Sequence, residues 1–347
     1  MATTWYLLIA FMLVTYAVLD GFDFGAGIVH LFVAETDAER RSVLAAIGPA
    51  WDGNEVWLIA TGGVLVFAFP RVYAAALSGL YLPLMIVLWL LVLRGVAIEF
   101  RSKVEHPLWR TGFDGLFAFA SAVMAVVLGV ALGNVVRGVP IDGSGWFQED
   151  LFTDLRPRGA RLGAIDVYTA LVGAFAFVVL AAHGATYIAW KTLGDVHARS
   201  GRLARRLWVL VLALGAALTA ATFATEPSHF AGFAARPWLF PLPLAAIAAA
   251  VLARRAIAEG RDGRAFALSS TFVATLLAAT VGTLYPVLLR STIDPRFSLD
   301  AFNAASPRAT LAIGLAVWIP AMTLAAGYFA YLYRTFRGKV TDQDHHY

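Results

Sequence analysis

Nine uninterrupted apolar stretches, at about 5–33, 51–77, 79–100, 114–136, 162–190, 204–225, 237–256, 265–289 and 308–333, decide what this chain can become. Each has the ~20 residues that carry a helix across the hydrocarbon core of a bilayer. They are continuous runs rather than strands of about ten residues with alternating hydrophobicity, which excludes a membrane β-barrel. Composition agrees: 60% of residues are hydrophobic and 14% charged, against about 45–50% and about 25% in soluble domains. The sequence therefore predicts an all-α membrane protein of nine transmembrane helices in one polytopic domain, residues 1–347. The first run opens near Met1 without a basic leader and has the length of a span, so it is expected to be kept rather than cleaved as a signal peptide. Cysteine is absent, which removes disulfides, thiolate nucleophiles and Cys-ligated clusters.

Nine crossings place the termini on opposite sides, and the excess of Lys and Arg in cytoplasmic loops selects the orientation. With the N-terminus outside, 18 of the 27 basic residues fall on the inner side. The expectation is an outer N-terminus and an inner C-terminus. A net charge of only +4, scattered between apolar runs, argues against nucleic-acid binding. The longest connection, Arg137 to Arg161, lies outside, and its arginines are balanced by Asp142, Glu149, Asp150 and Asp154. It is too short to be a separate domain.

Some charges stay within the apolar runs, where an ionisable group costs a few kcal/mol and marks a functional site by default. Asp20 and Asp23, spaced i, i+3, share a helix face, and Gly21 and Gly25 allow another backbone to come close. The second run opens with Trp51-Asp52-Gly53-Asn54-Glu55-Val56-Trp57, repeating the acid spacing at Asp52 and Glu55, and the third carries Arg94. Asp20 lies about 22 Å along the helix from Trp5 at 1.5 Å per residue, in the inner half of the bilayer. Asp52 enters and Arg94 leaves on that same side. Arg94 is expected to be the counter-ion of one carboxylate. Acids left without one are disfavoured as anions in a low dielectric, which is what a proton carrier near neutral pH needs.

Structural readings compete at each position. Asp52 and Glu55 fit a capping box at a helix start; Asp20 and Asp23 fit a helix break or a buried salt bridge with Arg94; Asp114 and Asp166 fit N-caps. Only His30 and His183 lie inside apolar runs, which leaves a bis-His haem arithmetically open, although His183 fits an interhelical hydrogen bond as well. No metal-ligand spacing is present. Trp5, Trp51, Trp109, Trp190, Trp208 and Trp238 sit at run ends, as an interfacial aromatic belt predicts.

The strings Leu19-Asp-Gly-Phe-Asp-Phe-Gly-Ala-Gly27, Ile47-Gly-Pro-Ala-Trp-Asp-Gly-Asn-Glu-Val-Trp57, Ala68-Phe-Pro-Arg-Val-Tyr73, Tyr81-Leu-Pro-Leu-Met85 and Leu93-Arg-Gly-Val-Ala-Ile-Glu-Phe-Arg101 resemble subunit II of cytochrome bd-type quinol oxidases. The likeness is most specific over residues 15 to 101. Beyond these it rests on length, hydropathy and fragments such as His183-Gly-Ala-Thr-Tyr187. The resemblance implies two four-helix bundles plus one peripheral helix, in the inner membrane of a bacterium. It implies a haem-bearing subunit I that holds haem b and haem d, oxidises quinol, reduces oxygen to water and generates a proton-motive force. It further implies a structural quinone in subunit II and, in some complexes, small single-helix subunits. By the same resemblance Asp20, Asp23, Trp51, Asp52, Asn54, Glu55 and Arg94 are tied to proton delivery or to the stability of the haem-bearing complex, and the acid at Glu55 is an amide in some relatives. Trp51, Asn54 and Trp57 are expected near the partner's haem or a structural quinone.

Together these readings predict that Asp52 and Glu55 collect protons at the inner face, Asp20 and Asp23 relay or hold them, and Arg94 keeps one carboxylate ionised. The competing readings are a proton-coupled multipass transporter, whose broken helices would recur in both halves, and a purely scaffolding subunit.

Overall fold

A computed structural model describes residues 1–159 and 162–340; Arg161, counted above with the outer loop, lies outside them. The helices are α1 (Ala2–Val33), α2 (Asp37–Ile47), α3 (Trp51–Ala68), α4 (Pro70–Gly79), α5 (Tyr81–Phe100), α6 (Pro107–Arg137), α7 (Val167–Lys191), α8 (Gly194–Thr225), α9 (Ser228–Ala235), α10 (Pro241–Ala258), α11 (Asp262–Leu284) and α12 (Arg308–Thr335). Eight of them, α1, α5, α6, α7, α8, α10, α11 and α12, are long and apolar enough to cross a membrane, so the chain is a polytopic all-α membrane protein. The run at 51–77 behaves differently. It divides at Phe69, because Pro70 has no N–H to continue the ladder and takes the first position of α4 instead. What remains, α3, has 18 residues, and its first two turns carry Asp52, Asn54 and Glu55.

α7 lies at the centre, packed on α1, α6, α8 and α11; α1 also holds α3 and α6, and α10 lies against α8 and α11. The close approach expected at Gly21 and Gly25 is made by α7. A Cβ on Gly25 would overlap the Leu180 carbonyl oxygen and lie 2.6 Å from the Gly184 nitrogen, so backbone rests on backbone there. α12 is largely exposed and is tied on at few points, among them Trp5 Nε1, which donates to the Leu311 carbonyl at 3.1 Å. Small two-stranded sheets, β1 (Asp150–Phe152) with β2 (Gly163–Ile165) and β3 (Val287–Leu289) with β4 (Leu299–Asp300), close the connections after α6 and α11.

The structure corrects several local expectations. α1 runs unbroken through Asp20 and Asp23. The N-cap of α3 is Ala50, with no side-chain cap, so Asp52 and Glu55 form no capping box. α6 starts at Pro107 with His106 as its cap, which puts Asp114 about two turns inside the helix rather than at its end. Asp166 does cap α7, accepting from Thr169 N at 2.8 Å. Trp5 and Trp208 leave the aromatic belt. Both are buried, and Trp208 Nε1 donates to Thr186 Oγ1 at 3.1 Å, because the indole N–H found a protein partner in the core.

Candidate functional site

Three helices contribute to one buried polar cluster. α1 presents Asp20 and Asp23, α3 presents Asn54 and Glu55, and α5 presents Arg94; Asp20, Asp23, Asn54 and Arg94 are each 0% exposed. Arg94 Nη1 stands 2.7 Å from Asp20 Oδ1, as a charge contact without hydrogen-bond alignment. On its other edge Arg94 Nε donates to Glu55 Oε1 at 3.1 Å, and Nη2 reaches the same oxygen. The guanidinium also lies 4.1 Å from the centroid of the Phe24 ring, a cation–π contact. Arg94 therefore serves two carboxylates rather than the one expected, and its planar fork is what makes that geometry available.

Asp23 is held differently. Its Oδ2 accepts from Asn54 Nδ2 at 2.8 Å, while Oδ1 has no hydrogen-bond partner among the described residues. Asn54 Nδ2 also reaches the Leu19 carbonyl at 3.3 Å, and its Oδ1 accepts from the Tyr333 hydroxyl at 3.2 Å. Tyr333, on the last turn of α12, was not foreseen. It looks like one more interfacial aromatic near a helix end, and nothing local reveals a contact across almost the whole chain. Three acids thus converge on a single cation, and the surplus of carboxylate anticipated from sequence is present in space.

Asp52 does not join them. It is exposed on the first turn of α3, and among the described residues its side chain makes no hydrogen bond or ion pair. Trp51 packs beside α5, its ring 3.5 Å from a Cβ built on Gly95, and Trp57 is buried between Phe11 and Phe329.

A second buried cluster, unforeseen by sequence, lies at the same end of the bundle. Asp114 Oδ1 accepts from Arg101 Nε at 2.5 Å and contacts His30 Nε2 at 2.8 Å, while Oδ2 accepts from Arg40 Nη1 at 3.0 Å. Asp37 joins it through Arg101 and Arg110, both at 2.9 Å. The cluster fastens the adjoining ends of α1, α2, α5 and α6. It also explains His30, which is engaged by a carboxylate. His183 Nδ1 lies 2.8 Å from Ser269 Oγ and Nε2 3.0 Å from the Val18 carbonyl; a carbonyl only accepts, so Nε2 carries the proton. His183 is an interhelical hydrogen-bonder with no nitrogen left for a haem iron. Among the described residues no group of three or more His, Asp or Glu side chains could hold a metal ion.

At the opposite end Arg137 pairs with both Asp166 and Glu149, the latter at 2.6 Å. Burial pushes the Glu149 carboxyl up to about 7, against the pull of Arg137. An acid with a raised pKa favours the folded loop while protonated, so this contribution is complete below its ordinary 4.5 and is lost as pH rises through about 7. Amide-exchange protection of residues 139–152 is expected to fall over that window in the wild type and to stay level in Glu149→Gln. An equal fall in both proteins would refute the assignment.

Comparison with known proteins places this geometry in context. Residues 1–336 match the family described as cytochrome bd terminal oxidase subunit II. The chain is 30% identical over 342 residues to cytochrome bd ubiquinol oxidase subunit 2 of Bacillus subtilis (strain 168), covering 98% of this chain and 97% of that one. It is 30% identical over 367 residues to cytochrome bd-I ubiquinol oxidase subunit 2 of Escherichia coli (strain K12), covering 98% and 95%. The solved bd oxidase from Geobacillus thermodenitrificans superposes with a TM-score of 0.75 over 97% of this chain and 98% of that one, at 18% identity. That last likeness concerns fold alone.

Proposed function

Because the chain belongs to the cytochrome bd terminal oxidase subunit II family, we propose that it supplies cytoplasmic protons to the haem-bearing subunit of a quinol:oxygen oxidoreductase and stabilises that subunit's haem environment. As a member of this family the chain works in a haem-containing complex with a subunit I, in a membrane it crosses several times. On our reading α3 is a ninth crossing, the N-terminus is periplasmic and the C-terminus cytoplasmic, in a bacterial inner membrane. α1, α3, α5 and α6 make one four-helix bundle and α7, α8, α10 and α11 the other; α12 is the peripheral helix, in keeping with its exposure. Haem b and haem d reside in subunit I, which oxidises quinol and reduces oxygen to water, generating a proton-motive force; small single-helix subunits complete some complexes.

The observation that carries the proposal is the meeting of Asp20, Asp23 and Glu55 around one Arg94. With all three acids ionised the cluster holds more negative charge than a buried site tolerates, so it is suited to keeping a proton. Asp52, exposed on the same helix one turn from Glu55, is the group that can meet protons from the inner face. Glu55 and Arg94 set the charge beside it, and Asp23 holds or passes a proton under the direction of the Asn54 amide. A solely scaffolding role is favoured by a different observation, that Arg94 ties α1, α3 and α5 together.

Asp52→Asn separates the two, because Asp52 touches nothing whose loss would disturb the fold. In the intact two-subunit complex we expect quinol-driven oxygen uptake to fall about tenfold or more, with haem content and thermal stability unchanged. Undiminished uptake together with undiminished proton release would sink the relay and leave the scaffold.

A cavity of about 570 Å³ between α7, α8, α9, α10 and α11 fits a structural quinone. Phe175, Val211, Phe272 and Leu276 give it apolar walls suited to a polyprenyl chain, and His229 and Thr222 give it a polar end. Burial holds His229 down at about 4, so it is neutral and would hydrogen-bond a quinone oxygen, with Thr283 Oγ1 3.2 Å away to orient the ring. Trp51, Asn54 and Trp57 do not line this cavity; we assign them to the side facing the partner's haem.

A further inference from the structure

The basic residues at the inner end of the bundle fall into two groups that differ in their partners. Around α1, α2, α5 and α6 the guanidinium groups are neutralised: Arg40 and Arg101 by Asp114, Arg41 and Arg110 by Asp37. Around α8, α10 and α11 they are not. Arg202, Arg205, Arg206, Arg254, Arg255 and Arg264 are exposed, and among the described residues none of these side chains has an ion-pair or hydrogen-bond partner. The neighbouring acids are already engaged. Glu259 takes Arg261 at 3.3 Å, Asp262 faces Lys339 at 3.3 Å and His197 at 3.7 Å, and Asp195 acts on Arg199.

The arginines of α8 and α10 lie near one level. A Cβ on Gly201 would sit 3.8 Å from Ile257 Cγ2, which sets the second turn of α8 beside the last turn of α10. A Cβ on Gly263 would sit 3.2 Å from Trp190 Nε1, which brings the start of α11 to the inner end of α7. Along α8, Arg202, Arg205, Arg206 and exposed Val209 follow the i, i+3, i+4, i+7 pattern of one face; on α10, Arg254 stands two turns from exposed Ile247. Guanidinium groups therefore rim an apolar surface where the hydrocarbon ends. A topological signal needs only positive charge, which lysine supplies as well. All six are arginine, as are 24 of the 27 basic residues of the chain, and the planar guanidinium fork takes two phosphate oxygens at once.

We propose that the inner ends of α8, α10 and α11 form a docking surface for an anionic phospholipid, its phosphate held by Arg205, Arg206 and Arg254 and its acyl chains lying along Val209 and Ile247. Charge complementarity selects this occupant: unpaired cations border lipid-facing apolar residues, and basic clusters between the cytoplasmic ends of helices bind anionic head groups. The orientation proposed above enters only in naming the leaflet.

The test uses the purified two-subunit complex, equilibrated with mixed micelles of equal phosphatidylglycerol and phosphatidylcholine and examined by native mass spectrometry. Phosphatidylglycerol is expected to be retained at least about tenfold over phosphatidylcholine. The preference should vanish in Arg205→Gln/Arg206→Gln/Arg254→Gln and fall severalfold in the corresponding triple Lys variant, which keeps the charge that guides insertion. Equal retention of the two lipids, or a preference unchanged in the Gln variant, overturns the proposal. Displacement of the lipid by equimolar glycerol phosphate also overturns it, since a soluble phosphate would then be the occupant.

Discussion

Arg94→Gln is expected to yield no haem-bearing complex. The substitution removes the one cation that Asp20 and Glu55 share and leaves two carboxylates between α1, α3 and α5 without it. Removing one partner of a buried pair costs about 3–5 kcal/mol, and here two pairs go together, an appreciable part of the ~5–15 kcal/mol that holds a folded domain. Arg94→Lys should recover only part of the loss, because an ammonium is a point charge and cannot serve Asp20 from one edge and Glu55 from the other. The triple variant Asp20→Asn/Glu55→Gln/Arg94→Gln carries no charge at that point. It should give more assembled complex than the single variant, which a general packing defect at Arg94 would not allow. The readouts are the visible haem spectrum and the recovery of both subunits after purification. A single Arg94→Gln variant with wild-type spectrum and yield would refute the ion-pair account.

How much of this could be read in advance depends on the range of the interaction. Apolar runs are local, and the eight spans were legible from them. The acid pairs at Asp20/Asp23 and Asp52/Glu55 were legible too, because charge within an apolar run is anomalous wherever it points. Which acid meets which cation was not. Arg94 reaches both Asp20 and Glu55 through the length of its side chain, since α5 itself packs chiefly on α6, and Asp52 is left out because it stands a turn before Glu55 at the exposed start of α3. Asp114 was misread for a related reason. A carboxylate close to the start of an apolar run resembles a cap, yet α6 starts earlier at Pro107, and Arg40, Arg101 and His30 reach Asp114 from other helices. Tyr333 is 279 residues from Asn54, and nothing nearby in sequence distinguishes it from its aromatic neighbours.

Gly184 has little freedom to change. Replacement by Ala is expected to lower Tm and complex yield sharply, although one methyl group is the whole change. Its Cβ would fall on the Gly25 carbonyl carbon and 2.3 Å or less from neither a rotamer nor a flexible end but from main chain, so relief requires α1 and α7 to separate as bodies. Overpacking costs about 1–3 kcal/mol where side chains can yield, and at this crossing none can. Separation would also strain the bond from His183 Nε2 to the Val18 carbonyl and that from the Tyr187 hydroxyl to the Ala46 carbonyl at 2.8 Å. It would displace the turn of α1 that presents Asp20 and Asp23 to Arg94. Gly21→Ala is the contrast on the facing helix, α1. Its Cβ would press on Leu180 Cδ2, at 3.0 Å, the end of a side chain that can rotate away, and would lie in ordinary contact with His183 Cδ2 at 3.7 Å; the expected cost is below about 1 kcal/mol. Equal effects at Gly21 and Gly184, measured as Tm of the purified complex, would show that small size anywhere along the α1–α7 contact matters in general. A large loss confined to Gly184 would show that the α1–α7 backbone contact sets the depth and rotation at which the acids meet their counter-ion.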